Sequence, residues 1–317
     1  MARYVAWRLA QSALVLWAAF TVAFAALYLL PSDPVSIMAA GGGEANAVSD
    51  EQIADLQRVH GLDRPLWEQY LDRLGNALTG DFGLSVQTGD PVTEVIAEAL
   101  PGTLQLAGAA LVLAVAGGAG LALLATWTRA RWLRQVLLSL PALGVSAPTF
   151  WVGLLLVQLV SFRWGLLPAF GQEDWRALVL PAVTLALPTG AVLAQIFARS
   201  LRTALVEPYA DTARAKGASR ARVHFGHAAP NAAVPPLTVT AVLLGNVLSG
   251  SVVVETVFSR SGLGRTTAAA VDAQDIPLVL GIVAFGAAVY VVANLLVDLA
   301  HPLLDPRVTV GGPAVAA

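Results

Sequence analysis

The stretch Thr103-Leu-Gln-Leu-Ala-Gly-Ala-Ala-Leu-Val-Leu-Ala-Val-Ala-Gly-Gly-Ala-Gly-Leu-Ala-Leu-Leu-Ala-Thr-Trp127 decides the fold, because it runs twenty-five residues without a charged side chain. About 20 apolar residues in a helix suffice to cross the ~30 Å hydrocarbon layer of a bilayer. Five other segments meet the same test: Leu9–Leu30, Val136–Phe162, Leu178–Phe197, Pro235–Phe258 and Leu278–Ala300. The sequence therefore predicts an all-α integral membrane protein with six transmembrane helices. Arg3 and Arg8 ahead of the first segment resemble the basic flank of a signal peptide. Its apolar run exceeds the roughly 7–15 residues of such a peptide, so it is read as a retained span.

Composition agrees. Of 317 residues 56% are hydrophobic and 13% charged, against about 25% charged in soluble domains, and the mean hydropathy is +0.68. The absence of cysteine excludes disulfides, Cys-ligated zinc and thiolate catalysis. A net charge of −2 leaves no electrostatic footprint for nucleic acid; membrane lipid is the expected surrounding partner.

Lys and Arg near the span ends set the orientation. Arg3, Arg8, Arg129, Arg131, Arg134, Arg199, Arg202, Arg214, Lys216, Arg220, Arg222 and Arg307 fall on one side, twelve in all. Arg58, Arg64, Arg73, Arg163, Arg176, Arg260 and Arg265 make seven on the other. The positive-inside bias places both termini in the cytoplasm. The predicted organisation is an N-terminal span over 1–30, an extracytoplasmic helical loop region over 31–102, a transmembrane core over 103–302 and a cytoplasmic tail over 303–317.

Several spans carry breakers: Gly117, Gly118 and Gly120 in the second, Pro141 and Pro148 in the third, Pro181, Pro188 and Gly190 in the fourth. Proline deletes a backbone donor and kinks a helix, and glycine permits close helix packing. Ordinary bundle packing and a moving hinge both fit.

The outer loop is patterned. Ser49-Asp-Glu-Gln52 has the spacing of a capping box, followed by Ile53, Leu56, Val59 and His60 at helical spacing and a stop at Gly61. His60 lacks partners at metal-ligand spacing and reads as a helix-end residue. A second helix is predicted from Pro65, with Leu66, Tyr70, Leu71, Leu74 and Leu78 on one face and Gly80 after it. These helices would brace the spans or dock a soluble partner.

Between the fourth and fifth spans, Glu207-Pro-Tyr-Ala-Asp-Thr-Ala-Arg-Ala-Lys-Gly217 predicts a helix of about two turns. Pro208 favours its start, and Gly217 fits a left-handed residue just past its end. Alanines keep the body thin, while Asp211, Arg214 and Lys216 supply polar groups. Such a helix suits insertion in a partner's groove; a solvated basic loop is the alternative.

The pattern Asp211-Thr-Ala213-Arg-Ala-Lys-Gly217, then nine residues to His227-Ala-Ala-Pro230, resembles the EAA loop of ABC-importer permeases. Asp211, Thr212 and His227 stand where that pattern has Glu, Ala and Ile; Ala213, Gly217 and Pro230 match. His227-x-x-x-Asn231 with Tyr209-x-x-Thr-Ala-Arg-Ala-Lys-Gly is similar to the dipeptide, oligopeptide and nickel branch. So are Leu30-Pro-Ser-Asp-Pro34, Gly61-Leu-Asp-Arg-Pro-Leu66, Gln69-Tyr70, Gly80-Asp-Phe-Gly-Leu-Ser85, Pro91-Val92, Leu100-Pro-Gly-Thr-Leu104, Glu255-Thr-Val-Phe258 and Gly262-Leu-Gly-Arg265. Ser32 replaces a glycine and Ser261 a proline of that branch.

The resemblance implies the type I importer permease fold in a bacterial inner membrane. It also implies a second homologous permease, two cytoplasmic ATPases and an extracytoplasmic solute-binding protein as partners. A coupling helix within 207–220 would sit in a cleft of the ATPase, with Glu207, Tyr209, Asp211, Thr212, Ala213, Arg214, Ala215, Lys216 and Gly217 as the coupling residues. No catalytic or metal site is implied, and no cofactor on this chain; ATP and Mg would bind the partner ATPases. The residues agree: the only lysine, Lys216, lies between Ala215 and Gly217, so the Gly-x-x-x-x-Gly-Lys-Ser/Thr loop is absent.

Polar residues inside spans are often functional, which makes Gln195, Asn246, Glu255, Asn294 and Asp298 substrate-pathway candidates; a structural role for the two acids fits equally. The expected cargo is di- or oligopeptides, with nickel chelates, opines or other small solutes as alternatives within the branch. An ion-coupled secondary transporter should show internal repeats, and an intramembrane hydrolase a Ser–His pair at span depth; the sequence displays neither clearly.

Overall fold

Pro148 reshapes the third predicted span. It pushes the preceding residue out of helical conformation: Ala147 is extended at φ −78°, ψ 127°. Helix α4 (Arg131–Ser146) therefore ends there, and α5 (Thr149–Leu156, continued by a wider turn, Val157–Arg163) sets off at 103° to it. The span expected over Val136–Phe162, with Pro141 and Pro148 as its breakers, is thus a sharply bent pair. Pro141, by contrast, lies buried inside α4 without ending it.

The computed structural model describes residues 2–29, 64–172 and 174–304. The expected capping-box helix from Ser49 to Gly61, His60, the Leu30–Pro34 motif and most of the 303–317 tail lie outside the described residues. The remaining elements are α1 (Ala2–Leu29), α2 (Leu66–Leu78), α3 (Val92–Trp127), α6 (Arg176–Ala204), α7 (Pro208–Ala215), a π-helical turn (Arg222–Ala228), α8 (Ala229–Ala232), α9 (Val234–Val257), α10 (Leu263–Asp272) and α11 (Ile276–Leu304). Among the described residues three helices are long and apolar enough to cross a membrane, within α1, α3 and α6, or five if each bent pair forms one span. The second bent pair is α9, angled by 41° between Thr240 and Val242. The sixth expected span falls on α11, whose apolar stretch covers Ile276–Val292.

The chain divides into two compact units. In the unit holding residues up to Pro101 with Arg265–Leu295, Phe20 and Phe24 of α1 pack with Tyr70, Leu74 and Ala77 of α2 and with Ile276 and Leu280 of α11. Tyr70 stands edge-on to Phe24, ring centres 5.3 Å apart. Its hydroxyl meets Thr21 Oγ1 at 2.8 Å. Thr21 already donates to Trp17 O, so it accepts here from Tyr70. The inward stripe of α2 is thus Tyr70, Leu74 and Ala77. Leu66, Leu71 and Leu78, expected on the same face, are exposed: the contact is a narrow seam with spacing of four and three, and residues one step aside rotate away from it.

The loop from Gly80 to Pro91 is pinned in the same unit. Buried Ser85 donates to Asp275 Oδ2 at 2.5 Å, while Asp275 Oδ1 accepts from Leu278 N as the N-cap of α11.

In the unit formed by Gly102–Gly264 with Leu296–Leu304, α6 is central. Its apolar window is 61% buried, against 11% for α1. Leu180, Leu185 and Leu193 of α6 share one core with Leu106, Ala110 and Ala114 of α3 and Leu243, Val247 and Val254 of α9. The glycines of α3 permit that approach: a Cβ on Gly118 would lie 2.6 Å from Gly190 O.

Candidate coupling site

Helix α7 begins at Glu207, whose extended backbone (φ −69°, ψ 149°) turns the chain, and Pro208 takes the first helical position. Its end is a Schellman closure. Ala218 N donates to Ala213 O at 3.0 Å and Gly217 N to Arg214 O at 2.9 Å. That closure needs Gly217 at φ +86°, a left-handed conformation that costs other residues a Cβ clash.

The helix is held from below and from one end. Ala210 is fully buried. Arg214 reaches Leu205 O at 2.9 Å, binding α7 to the chain leaving α6, and pairs with Asp211 at 2.6 Å. Thr212 closes on Pro208 O at 3.0 Å. Above this anchor Glu207, Tyr209, Asp211, Thr212, Arg214, Ala215, Lys216 and Gly217 are exposed, with Ala213 half-buried. The expected coupling residues thus share one projecting segment. Glu207 and Tyr209 also border a cavity of about 590 Å³ with Arg199, Thr203 and Asn231. Asn231 donates to His227 O at 2.8 Å, which accounts locally for the His-x-x-x-Asn pattern.

Beneath the loop lies a cluster that sequence inspection missed. His224 is 2% exposed and packs edge-on to Trp127 and Phe225, centroids 5.3 and 4.7 Å away. Arg220 stacks on Trp127 with its guanidinium carbon 4.3 Å from the ring centre and donates to Trp127 O. Thr126 Oγ1 donates to Ala122 O, so at 3.0 Å it accepts from His224 Nε2. Among the described residues Nδ1 has no hydrogen-bond partner and is buried, which suits a neutral ring. Burial first, and the Arg220 cation second, hold the His224 pKa below its ordinary value.

Two family models match. One, described as the binding-protein-dependent transport system inner membrane component, covers residues 118–310; its N-terminal companion covers residues 1–107. The chain belongs to this family of transport permeases. The glutathione transport system permease protein GsiC of Escherichia coli K12 is 35% identical over 309 residues, 97% of this chain and 99% of that protein. Its counterpart in Shigella dysenteriae serotype 1 matches equally, and that of Shigella flexneri serotype 5b is 34% identical over the same span. A crystal structure of an amino acid ABC transporter with histidines aligns at a TM-score of 0.51 and 22% identity. It covers 68% of this chain and 95% of that one, and shows the fold. The protein is thus an ABC-importer permease of the dipeptide, oligopeptide and nickel branch, a multi-pass component of a bacterial inner membrane.

The substrate-pathway candidates of the permease are scattered. Gln195 is exposed and lines a cavity of about 1040 Å³ whose wall includes neither Asn246 nor Glu255. Asn246 is exposed on α9. Asn294 and Asp298 belong to α11, with side chains outside the described residues. Glu255 is fully buried and ties a turn together. Thr103 donates to Glu255 Oε1 at 2.7 Å and accepts from Leu263 N at 2.8 Å. A Cβ on Gly262 would collide with the Glu255 carboxylate. Gly102-Thr103, Glu255 and Gly262-Leu263, far apart in sequence, meet at this one knot.

Proposed function

We propose that this permease is the pore-forming, non-catalytic half of an ATP-driven importer that takes peptides or peptide-like solutes from an extracytoplasmic binding protein. It pairs with a second permease and two cytoplasmic ATPases, which bind ATP and Mg. In this reading the chain has six spans with both termini in the cytoplasm, and α7 seats in a groove of one ATPase. The observation that carries it is the exposed, doubly anchored α7: its Schellman closure and the Arg214–Leu205 bond let a push on the helix reach α6 without the loop yielding. Relatives that transport glutathione, a small peptide-like acid, support the cargo class.

The test is purification and ATP hydrolysis. The chain is expected to extract with a homologous permease and two ATPases. Gly217→Pro, which cannot adopt φ +86°, or deletion of Asp211–Gly217 should abolish substrate-stimulated hydrolysis. Transport by the purified single chain under an ion gradient would overturn the proposal.

A further inference from the structure

We infer that α4 and α6 form a binding site for one anionic phospholipid, its headgroup held by four arginines and its acyl chains lying in an adjoining apolar groove. The cavity of about 1040 Å³ that Gln195 lines is walled by Arg131 and Arg134 of α4 and by Arg199 and Arg202 of α6. Its wall, among the described residues, contains no Asp or Glu. Among the described residues none of these four guanidinium groups has an ion pair or a side-chain hydrogen bond. The positive-inside bias accounts for arginine at this end of the spans. It does not account for four of them converging on one concavity with no counter-charge.

The first turn of α4 adds to the attraction. Its N-cap is Ala130, which supplies no side-chain cap, and the positive helix end lies in the same first turn as Arg131 and Arg134.

A second cavity, of about 760 Å³, runs on along the same helices and shares Leu121 and Pro141 with the first. Its wall is apolar, including Leu113, Gly117, Leu140, Trp151 and Leu155. A cationic chamber opening into an apolar groove matches a molecule with a phosphate at one end and hydrocarbon at the other. Basic pockets between helices on the cytoplasmic side take such headgroups. A soluble anion would use the arginines and leave the groove bare.

The inference rests on the proposed orientation, which puts these arginines at the cytoplasmic leaflet. Its experiment is native mass spectrometry of the purified importer assembly in detergent with phosphatidylglycerol or phosphatidylcholine added. Wild type should retain one phosphatidylglycerol per permease and far less phosphatidylcholine. Replacing Arg131, Arg134, Arg199 and Arg202 by Gln should lower retention about tenfold or more. So should Gly117→Leu, which fills the groove from a position where an added Cβ meets open space, while the ATPases still co-purify. Equal retention by the variants, equal retention of the two lipids, or displacement by millimolar inorganic phosphate would overturn it. A Gln135→Cys cross-link to the second permease would also overturn it, by showing protein in the arginine-walled cavity that Gln135 lines. Loss of the ATPases from wild type would count against the proposed importer assembly; an intact assembly without lipid counts against this site alone.

Discussion

Glu255 shows how one residue's role depends on partners that lie far away in the chain. Read alone, an acid near the end of a span is a pathway ligand or a structural group, and nothing in its neighbours decides. Its partner Thr103 lies 152 positions away, beyond any local periodicity. What local reading did supply was the set of motifs around it, including the glycine at 262 now seen to accommodate the carboxylate. Gly262→Ala should therefore destabilise the purified assembly by about 1–3 kcal/mol, the usual cost of forcing atoms into a filled site, read as a lower midpoint of thermal unfolding. Ala at Gly75, inside α2 where an added Cβ meets nothing within 4 Å, is the control and should leave that midpoint at or slightly above wild type, since a helix interior favours Ala over Gly. An unchanged midpoint for Gly262→Ala would mean that the knot relaxes freely.

At the scale of elements, α7 was legible because its signals are local: proline at the start, alanines through the body, glycine at the stop. In the third predicted span Pro148 is visible as a breaker, but the size of the bend it makes is not. Proline can either kink a helix or end it, and only the packing of the two arms decides which. The His224 cluster was invisible for a different reason, since a lone histidine in a basic loop carries no sign that Trp127 will cover it. Its chemistry predicts a pH response of the loop under α7. The unfolded chain takes up the histidine proton near pH 6.5, before the folded one, whose pKa is lowered. The folded loop is therefore favoured above that pH and loses stability as pH falls toward the lowered value. Hydrogen exchange of amides 220–233, corrected for the intrinsic rate, should quicken between pH 7.5 and 5.5, by an amount that His224→Phe removes. A wild-type profile as flat as the variant's would refute this.

At the scale of the whole molecule, the sequence made the membrane class and the family plain, because apolar runs and ordered motifs survive without knowledge of contacts. It did not show how α2 seats, since five candidate apolar residues compete for a seam that only three positions occupy. Nor did it show that arginines from separate spans would face one another, which depends on how α4 packs along α6. Orientation is the expectation on which the rest of the functional reading hangs, and the chain's lack of cysteine makes it directly measurable. Lys216 on the coupling segment and Gln87 in the outer loop are both exposed, so a single cysteine at either should react with a maleimide. In intact cells a membrane-impermeant maleimide should label Gln87→Cys at once and Lys216→Cys only after permeabilisation. The reverse pattern would turn α7 and the four arginines away from the cytoplasm. It would remove both the ATPase contact and the inner-leaflet lipid site, because a helix on the outer face meets no ATPase however well it is anchored.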